Sequence, residues 1–193
     1  MRLLLLFLLS PLASLITPCT CRTATTTTTT LTSTALATAI VPSPCPPASS
    51  LGAARVRNRC PFPVHLWAVA SDVAGPFPLA ARTGRYAERF RSDPRSRGIS
   101  LKIARGGAGA LYNAEPHTLL GYNLQPGRRG APWRVWYGLD DVYGHVFRGE
   151  RLVLESEAEG CESLVWEDGA APGGNQTLVC DGADRDLVLT LCA

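Results

Sequence analysis

The sequence predicts an all-β fold for its folded part, and three observations support this prediction. Short apolar segments alternate with polar residues at the period of two that is typical of half-buried strands. Clusters of turn residues separate these segments at short intervals, and no segment keeps the helical period of about 3.6 residues. Many short strands at this spacing indicate a β-sandwich or a β-barrel.

The length and composition suit one globular domain with appendages. The chain has 193 residues, of which 46% are hydrophobic and 18% are charged, and its net charge is +3. This much apolar material argues against disorder throughout the chain. We expect the folded domain at residues 53–193.

The N-terminus is expected to be a targeting segment. Arg2 supplies a positive charge, and Leu3–Leu9 is an apolar stretch shorter than the about 20 residues that a membrane-spanning helix needs. We interpret residues 1–21 as a secretory signal peptide, for which cleavage near Cys19 or near Cys21 would fit. This predicts a secreted protein, extracellular or in the cell wall, without a membrane segment after cleavage. A retained signal anchor is the alternative.

Residues 22–52 are predicted to form a disordered linker rich in Thr, Ser and Pro. Thr25–Thr30 are six consecutive threonines, and four prolines fall within Pro42–Pro47. Without apolar periodicity the segment cannot offset the entropy of ordering. Such stretches in secreted chains are typically O-glycosylated stalks, and an unmodified flexible linker is the alternative.

Alternation places the predicted strands in the first half of the domain. Pro61 and Pro63 separate the first strand from the second, and Tyr86, Glu88 and Phe90 share one face of the third. The strands predicted here are Arg55–Asn58, Val64–Ala70, a segment around Glu88, Ile99–Ile103 and His117–Leu124. Glycine, proline and charged residues predict loops at Asp72–Pro78, Asp93–Gly98, Gly106–Gly109 and Gln125–Pro132.

The second half continues the pattern. Its predicted strands are Trp133–Leu139, Arg151–Glu155, Glu162–Glu167, Asn175–Cys180 and Leu187–Cys192, with a turn at Asp140 and Asp141 after the first of them. The Pro/Gly loop at Ala170–Gly174 predicts a hairpin between the two strands that flank it. In the closing strand, Leu187, Leu189 and Leu191 fall on one face.

Four cysteines lie in the folded part, and an even number in a secreted chain predicts disulfides. They allow three pairings. We favour Cys161–Cys180, which flanks the predicted hairpin, and Cys60–Cys192, which leaves no cysteine of the domain unpaired. A zinc site is the alternative, but neither a CxxC nor an HxxxH spacing occurs among these residues. We therefore expect neither a metal nor a cofactor.

Several local phrases resemble the thaumatin-like proteins, and most of all their small fungal branch, the Blastomyces yeast-phase-specific or CetA-like family. The phrases are VRNRCPFPVHLW at 56–67, GISLKI at 98–103, VWYGLDDVYG at 135–144 and the cysteine-framed segment 161–192. The resemblance covers about residues 53–193. It implies a thaumatin-like β-sandwich outside the cell or in the cell wall, and it supports the Cys60–Cys192 pairing. It implies no particular reaction.

Larger thaumatin-like proteins carry an acidic cleft that is proposed to bind or cleave β-1,3-glucan. Many of them have Asp where this chain has Gly138, which argues against a transferred acidic cleft. Hydrolysis would need two carboxylates about 5–9.5 Å apart. The candidates are Glu88, Asp93, Asp140 and Asp141, and ordinary solvated turn carboxylates are the alternative.

The arginines that flank Asp93 in sequence would lower the pKa of its carboxyl group and so oppose a role as a proton donor. We therefore expect no catalytic residue, and binding of β-glucan or another wall polysaccharide. The ligand-binding candidates are Trp133, Asp140 and Asp141, whereas Trp136 and Trp166 are expected in the core. A weak endo-β-1,3-glucanase, or a structural or host-interaction antigen without a small ligand, are the alternatives.

Two further features concern charge and modification. Residues 85–105 hold seven basic groups against two acidic ones, a net charge of +5 that can attract polyanions or can be an ordinary solvated surface. Secretion argues against nucleic acid as a partner, and we expect a monomer. Asn175 begins the sequon Asn-Gln-Thr beside an exposed loop and is the predicted N-glycosylation site.

Overall fold

The computed structural model describes residues 50–127 and 132–193. Their backbone forms eleven β-strands in two sheets and no α-helix, which confirms the predicted all-β fold. Accordingly, these two ranges contain no helix long and apolar enough to span a membrane. The predicted signal peptide, nearly all of the predicted linker, and four residues of the predicted loop Gln125–Pro132 lie outside the described residues.

The strands divide into a sheet of five and a sheet of six. The five-stranded sheet contains β1 (Ala53–Asn58), β4 (Arg85–Arg89), β8 (Leu152–Ser156), β9 (Leu164–Trp166) and β11 (Leu187–Leu191). The six-stranded sheet contains β2 (Val64–Val69), β3 (Val73–Leu79), β5 (Ile99–Ala104), β6 (His117–Gln125), β7 (Arg134–Val142) and β10 (Thr177–Cys180). The spatial orders are β4-β1-β11-β8-β9 and β10-β7-β6-β5-β2-β3. The pair β1–β11 is parallel, and the other neighbouring pairs are antiparallel.

One apolar core receives side chains from both sheets. Alternation along β5 and β6 sends Leu101 and Leu120 inward, where they meet residues of the other sheet such as Val56 and Leu189. Removing one such side chain from water contributes about 1.5–3 kcal/mol. All five residues of β11 are buried, because this strand lies at the centre of its sheet.

Both predicted disulfides are present. Cys60 lies just after β1 and Cys192 lies just after β11, and these two strands are parallel neighbours in one sheet. The two cysteines are 132 residues apart in sequence. Cys161–Cys180 spans 19 residues. In the chain-entropy model these loop lengths correspond to about 5 and about 3 kcal/mol.

The predicted hairpin between Glu162–Glu167 and Asn175–Cys180 is wrong. β9 pairs with β8 in one sheet, whereas β10 pairs with β7 in the other. The intervening loop therefore crosses from sheet to sheet, and Cys161–Cys180 links the two sheets at their edges. A second cross-link runs beside the disulfide, because the indole N–H of Trp166 donates to Gln176 Oε1 at 2.8 Å.

One predicted loop and one predicted turn belong to strands. Val73–Leu79 forms β3, although it contains Pro76 and Pro78, because an edge strand tolerates residues that cannot donate a backbone hydrogen bond. Asp140 and Asp141 belong to β7 rather than to a turn, because their segment pairs with β6 as far as Val142. The chain turns only afterwards, at Tyr143 and Gly144, which both have positive φ.

Candidate functional site

A groove crosses the outer face of the six-stranded sheet, roughly at right angles to the strands. The register places Val69, Ser100, Gly121, Gly138 and Thr177 side by side, one from each of β2, β5, β6, β7 and β10. This row has little side-chain volume and forms the floor of what we call the central groove. At about 4.8 Å between strands, the floor is about 19 Å long. The cavity above it measures about 470 Å³, within the range of about 300–1,000 Å³ typical of ligand sites.

Larger side chains bound the central groove on both sides. Leu119 and Asp140 lie opposite each other on β6 and β7 along one side, and Asn123 and Trp136 do the same along the other. Trp136 is 39% exposed, and its indole N–H donates to Gln125 Oε1 at 3.2 Å. The hydrogen bond orients a flat apolar ring at the groove edge. Asp140 is the one charged residue among the described residues that line this cavity.

The two glycines of the floor differ in what an added side chain would meet. A Cβ at Gly138 would lie 2.4 Å from the carbonyl oxygen of Gln176, so the close approach of the segment before β10 excludes any side chain. The Asp that the resemblance leads one to expect at this position would not fit without a shift of the segment before β10. A Cβ at Gly121 would meet nothing nearer than Leu119 Cδ1 at 3.6 Å, an ordinary contact. The fold tolerates a side chain at Gly121, and its absence keeps the groove open.

Asp93 shapes one end of the central groove. Its Oδ1 accepts hydrogen bonds from Ser71 Oγ at 2.6 Å, from Arg95 N at 2.8 Å and from Ser96 N at 3.0 Å. These bonds tie the loop Asp93–Gly98, which contributes Ser96 and Gly98 to the groove lining, to the end of β2. The hydroxyl of Ser71 above all, and the backbone amides of the loop, hold the pKa of the Asp93 carboxyl far below its usual range. Asp93 is thus an ionised turn-forming residue.

Asp140 and Asp141 lie on opposite faces of β7, as consecutive strand residues must. Asp140 is exposed at the groove, and its Oδ1 accepts a hydrogen bond from the backbone N–H of Asp141 at 2.9 Å. The Asp141 side chain is only 5% exposed. It accepts a hydrogen bond from Thr118 Oγ1 at 2.6 Å and contacts His145 Nδ1 at 2.7 Å. The structure therefore brings only one of the two predicted binding carboxylates to the groove.

Trp136 is exposed instead of buried, and Trp133 lies away from the central groove. Trp133, the predicted ligand-binding residue, is half-buried against the core and does not line the central groove. Trp136, which was expected in the core, faces solvent because it alternates with the buried Val135 and Tyr137 along β7. Trp166 is buried as predicted. An aromatic residue within an apolar run can lie on either face of a strand. Only the strand register shows that Trp136 faces solvent and that Trp166 faces the core.

Glu88, the remaining candidate carboxylate, lies between the two sheets. It accepts hydrogen bonds from the hydroxyl of Tyr122 at 2.6 Å and from that of Tyr86 at 3.1 Å, with Arg91 at 3.8 Å. Burial, reinforced by this carboxylate, raises the pKa of both tyrosines well above the usual value. The cluster cross-links β4 to β6, and Glu88 does not line the central groove.

Asn175 is exposed at the start of the segment that leads into β10. Its side-chain Nδ2 donates to the carbonyl oxygen of Thr177 at 3.0 Å, and its Oδ1 accepts a hydrogen bond from Thr177 N at 3.0 Å. Glycosylation at Asn175 stays a prediction.

The two sheets and the two disulfides agree with the thaumatin-like β-sandwich that the resemblance implied. The family model described as "Blastomyces yeast-phase-specific protein" matches residues 41–193, which is most of the chain. The chain belongs to this family, as the resemblance predicted.

Two individual proteins are similar to this chain. The antigenic thaumatin-like protein of Arthroderma benhamiae is 27% identical over 121 residues, which cover 62% of this chain and 56% of that protein. The chain therefore spans a little over half the length of this relative. The crystal structure of the protein elicitor MoHrip2 from Magnaporthe oryzae matches 74% of this chain and 99% of its own, with a TM-score of 0.56 and 19% identity. At this identity the match shows a shared fold.

Proposed function

We propose that this chain is a secreted protein that binds a neutral wall polysaccharide, such as β-glucan, in the central groove without hydrolysing it. The observation that carries the proposal is the exposed Trp136 beside an open, small-residue groove whose lining holds a single charged residue. Two disulfides support a destination outside the reducing cytosol. The name of the Arthroderma relative, an antigenic protein, agrees with exposure outside the cell.

The lining suits a neutral sugar chain in its chemistry. The C–H groups on one face of a pyranose ring can pack on the indole of Trp136, an apolar surface with fixed orientation. Ser100, Thr177 and the amide of Asn123 can donate and accept hydrogen bonds with sugar hydroxyls. The floor of about 19 Å gives room for several consecutive sugar units along the row. A polyanion would find no cation among the described residues of this lining.

The positions of the carboxylates support binding without cleavage. Glycoside hydrolysis needs one carboxylate to act as an acid and a second as a nucleophile or base on the same substrate. Asp140 lines the groove, but Asp141 lies on the opposite face of the strand and contacts Thr118 and His145. Asp93 is held ionised by its hydrogen bonds and so cannot donate a proton near neutral pH.

The test uses insoluble β-1,3-glucan and the pure full chain. We expect retention on the glucan, no release of reducing ends, and an affinity about tenfold lower in Trp136→Ala. The matched control is Tyr112→Ala, which removes an aromatic that is 71% exposed and does not line the groove. Reducing ends that disappear in Asp140→Asn would indicate a glucanase. Absence of retention would favour a structural or antigenic role without a glycan ligand.

A further inference from the structure

Four arginines surround a small pocket at one end of the five-stranded sheet. Arg57 and Arg59 come from the end of β1, and Arg82 and Arg85 from the turn after β3 and the start of β4. We call this the arginine pocket. Its volume is about 90 Å³, room for about three water molecules at ~30 Å³ each. The pocket is distinct from the central groove. A role for this pocket does not depend on the function proposed for the groove.

None of these four side chains has a carboxylate partner within the described residues. By contrast, Arg55, Arg134 and Arg151 each contact an Asp or Glu. Moreover, the register of β1 and β4 puts Arg57 directly opposite Arg85. Like charges that face each other across two strands destabilise a sheet. An anion between the two guanidinium groups would attract both of them and so offset their mutual repulsion.

The backbone around the pocket is firmly held. The buried side chain of Asn58 donates to the carbonyl oxygens of Phe62, Leu79 and Ala80, and it accepts a hydrogen bond from Cys60 N. Two backbone bonds, Asn58 N to Gly84 O at 2.9 Å and Arg82 N to Cys60 O at 2.8 Å, fasten the turn to the end of β1. The Cys60–Cys192 disulfide anchors the same point. The four guanidinium groups therefore start from a preorganised frame.

Arg82 has an uncommon backbone conformation. Its φ of 65° is in the left-handed region, which non-glycine residues adopt uncommonly. Such conformations persist where the surrounding structure fixes them.

We propose that the arginine pocket binds a phosphate or sulfate ester group carried on an acidic polysaccharide. A guanidinium is planar and permanently charged, and it offers paired N–H donors that match the oxygens of a tetrahedral anion. The size of the pocket suits one such group rather than a sugar ring. None of its lining residues is aromatic, so it provides no stacking surface for nucleic acid bases.

The direct test measures binding of the full chain to dextran sulfate, with uncharged dextran as the reference. We expect binding to dextran sulfate alone, and an affinity about tenfold or more lower in Arg57→Gln/Arg85→Gln, because two charge-assisted contacts are lost. The matched control, Arg95→Gln/Arg97→Gln, removes the same charge from the exposed Asp93–Gly98 loop and should retain the affinity. Equal losses in the two double variants, or no binding by the unmodified chain, would overturn the proposal.

A second measurement is independent of the polymer. Inorganic phosphate, compared with chloride at equal ionic strength, should raise the Tm of the unmodified chain more than that of Arg57→Gln/Arg85→Gln, since a ligand stabilises the state that binds it. Equal shifts would refute a specific anion site. A DNA oligonucleotide serves as the competitor. Preference for the oligonucleotide over dextran sulfate would overturn the assignment to a polysaccharide ester.

Discussion

Filling the floor of the central groove at Gly121 should separate folding from binding. In Gly121→Leu the new Cβ would lie 3.6 Å from Leu119 Cδ1, which is an ordinary contact, and Gly121 is in an extended strand opposite Gly138. Replacing glycine within a strand removes an entropic cost of about 0.5–1 kcal/mol. We therefore expect the free energy of unfolding to stay the same or to rise by up to about 1 kcal/mol.

Binding should respond in the opposite direction. The isobutyl group would occupy the middle of a floor whose other residues are Val69, Ser100, Gly138 and Thr177, where a sugar ring would lie. We expect the affinity for laminarin, a soluble β-1,3-glucan, to fall at least about tenfold, or about 1.4 kcal/mol. Titration calorimetry measures this change, and urea unfolding measures the stability of the same sample.

Two control variants make the result specific. Val165→Leu enlarges an exposed residue of β9 in the other sheet and should leave laminarin binding unchanged. Gly138→Ala should lower the free energy of unfolding by about 1–3 kcal/mol, because its Cβ would lie 2.4 Å from Gln176 O. A folded Gly121→Leu that binds laminarin as well as the unmodified chain would refute the assignment of the groove.

Three further predictions concern stability. Replacing both Cys161 and Cys180 by Ser should lower the free energy of unfolding by about 3 kcal/mol in urea titrations, because the bond closes a loop of 19 residues; a loss below about 1 kcal/mol would contradict a linking role between the sheets. Asp93→Asn should lower the Tm at neutral pH. The folded state lowers the pKa of Asp93, so the ionised carboxyl stabilises the fold fully above its unfolded pKa of about 4. This stabilisation is lost as the pH falls through the folded-state pKa. The difference in Tm between the unmodified chain and Asp93→Asn should therefore shrink in acid. A difference that grows in acid would show the sign to be wrong. The raised pKa values of Tyr86 and Tyr122 mean that folding holds their protons where the unfolded chain releases them. The free energy of unfolding should therefore fall as the pH rises above about 10, and constant stability between pH 9 and pH 11 would contradict this.

Local sequence patterns identified most of the strands and both disulfides. Alternation suffices for β5, where Ile99, Leu101 and Ile103 face the core, because the period of two is complete there. It fails for β3, whose prolines are compatible with a strand only at a sheet edge. Edge position is a property of the whole sheet, and no local pattern within Val73–Leu79 encodes it.

The two candidate binding surfaces depend on pairings between segments that are apart in sequence. The central groove exists because Gly121 and Gly138 are opposite each other and continue the row of Ser100 and Thr177. The sequence shows the two glycines, but the register that aligns them is a long-range property. For the same reason Trp136 was expected in the core.

The arginine pocket also could not be predicted from local sequence. The sequence drew attention to the basic segment 85–105 as a whole. In the structure, Arg91 contacts Glu88 and Arg95 contacts Asp72. The pocket instead combines Arg85 with arginines of another strand and of the preceding turn. Only the β1–β4 pairing brings them together.

The most direct test of the central claim follows the indole N–H signals of the labelled full chain by NMR during titration with a β-1,3-linked glucan oligosaccharide. If the central groove binds the oligosaccharide, the signal of Trp136 shifts progressively, while those of the buried Trp67 and Trp166 stay in place. Trp136→Ala would assign the signal. Shifts confined to residues outside the central groove, or an unchanged Trp136 signal at saturating oligosaccharide, would contradict glucan binding in this groove.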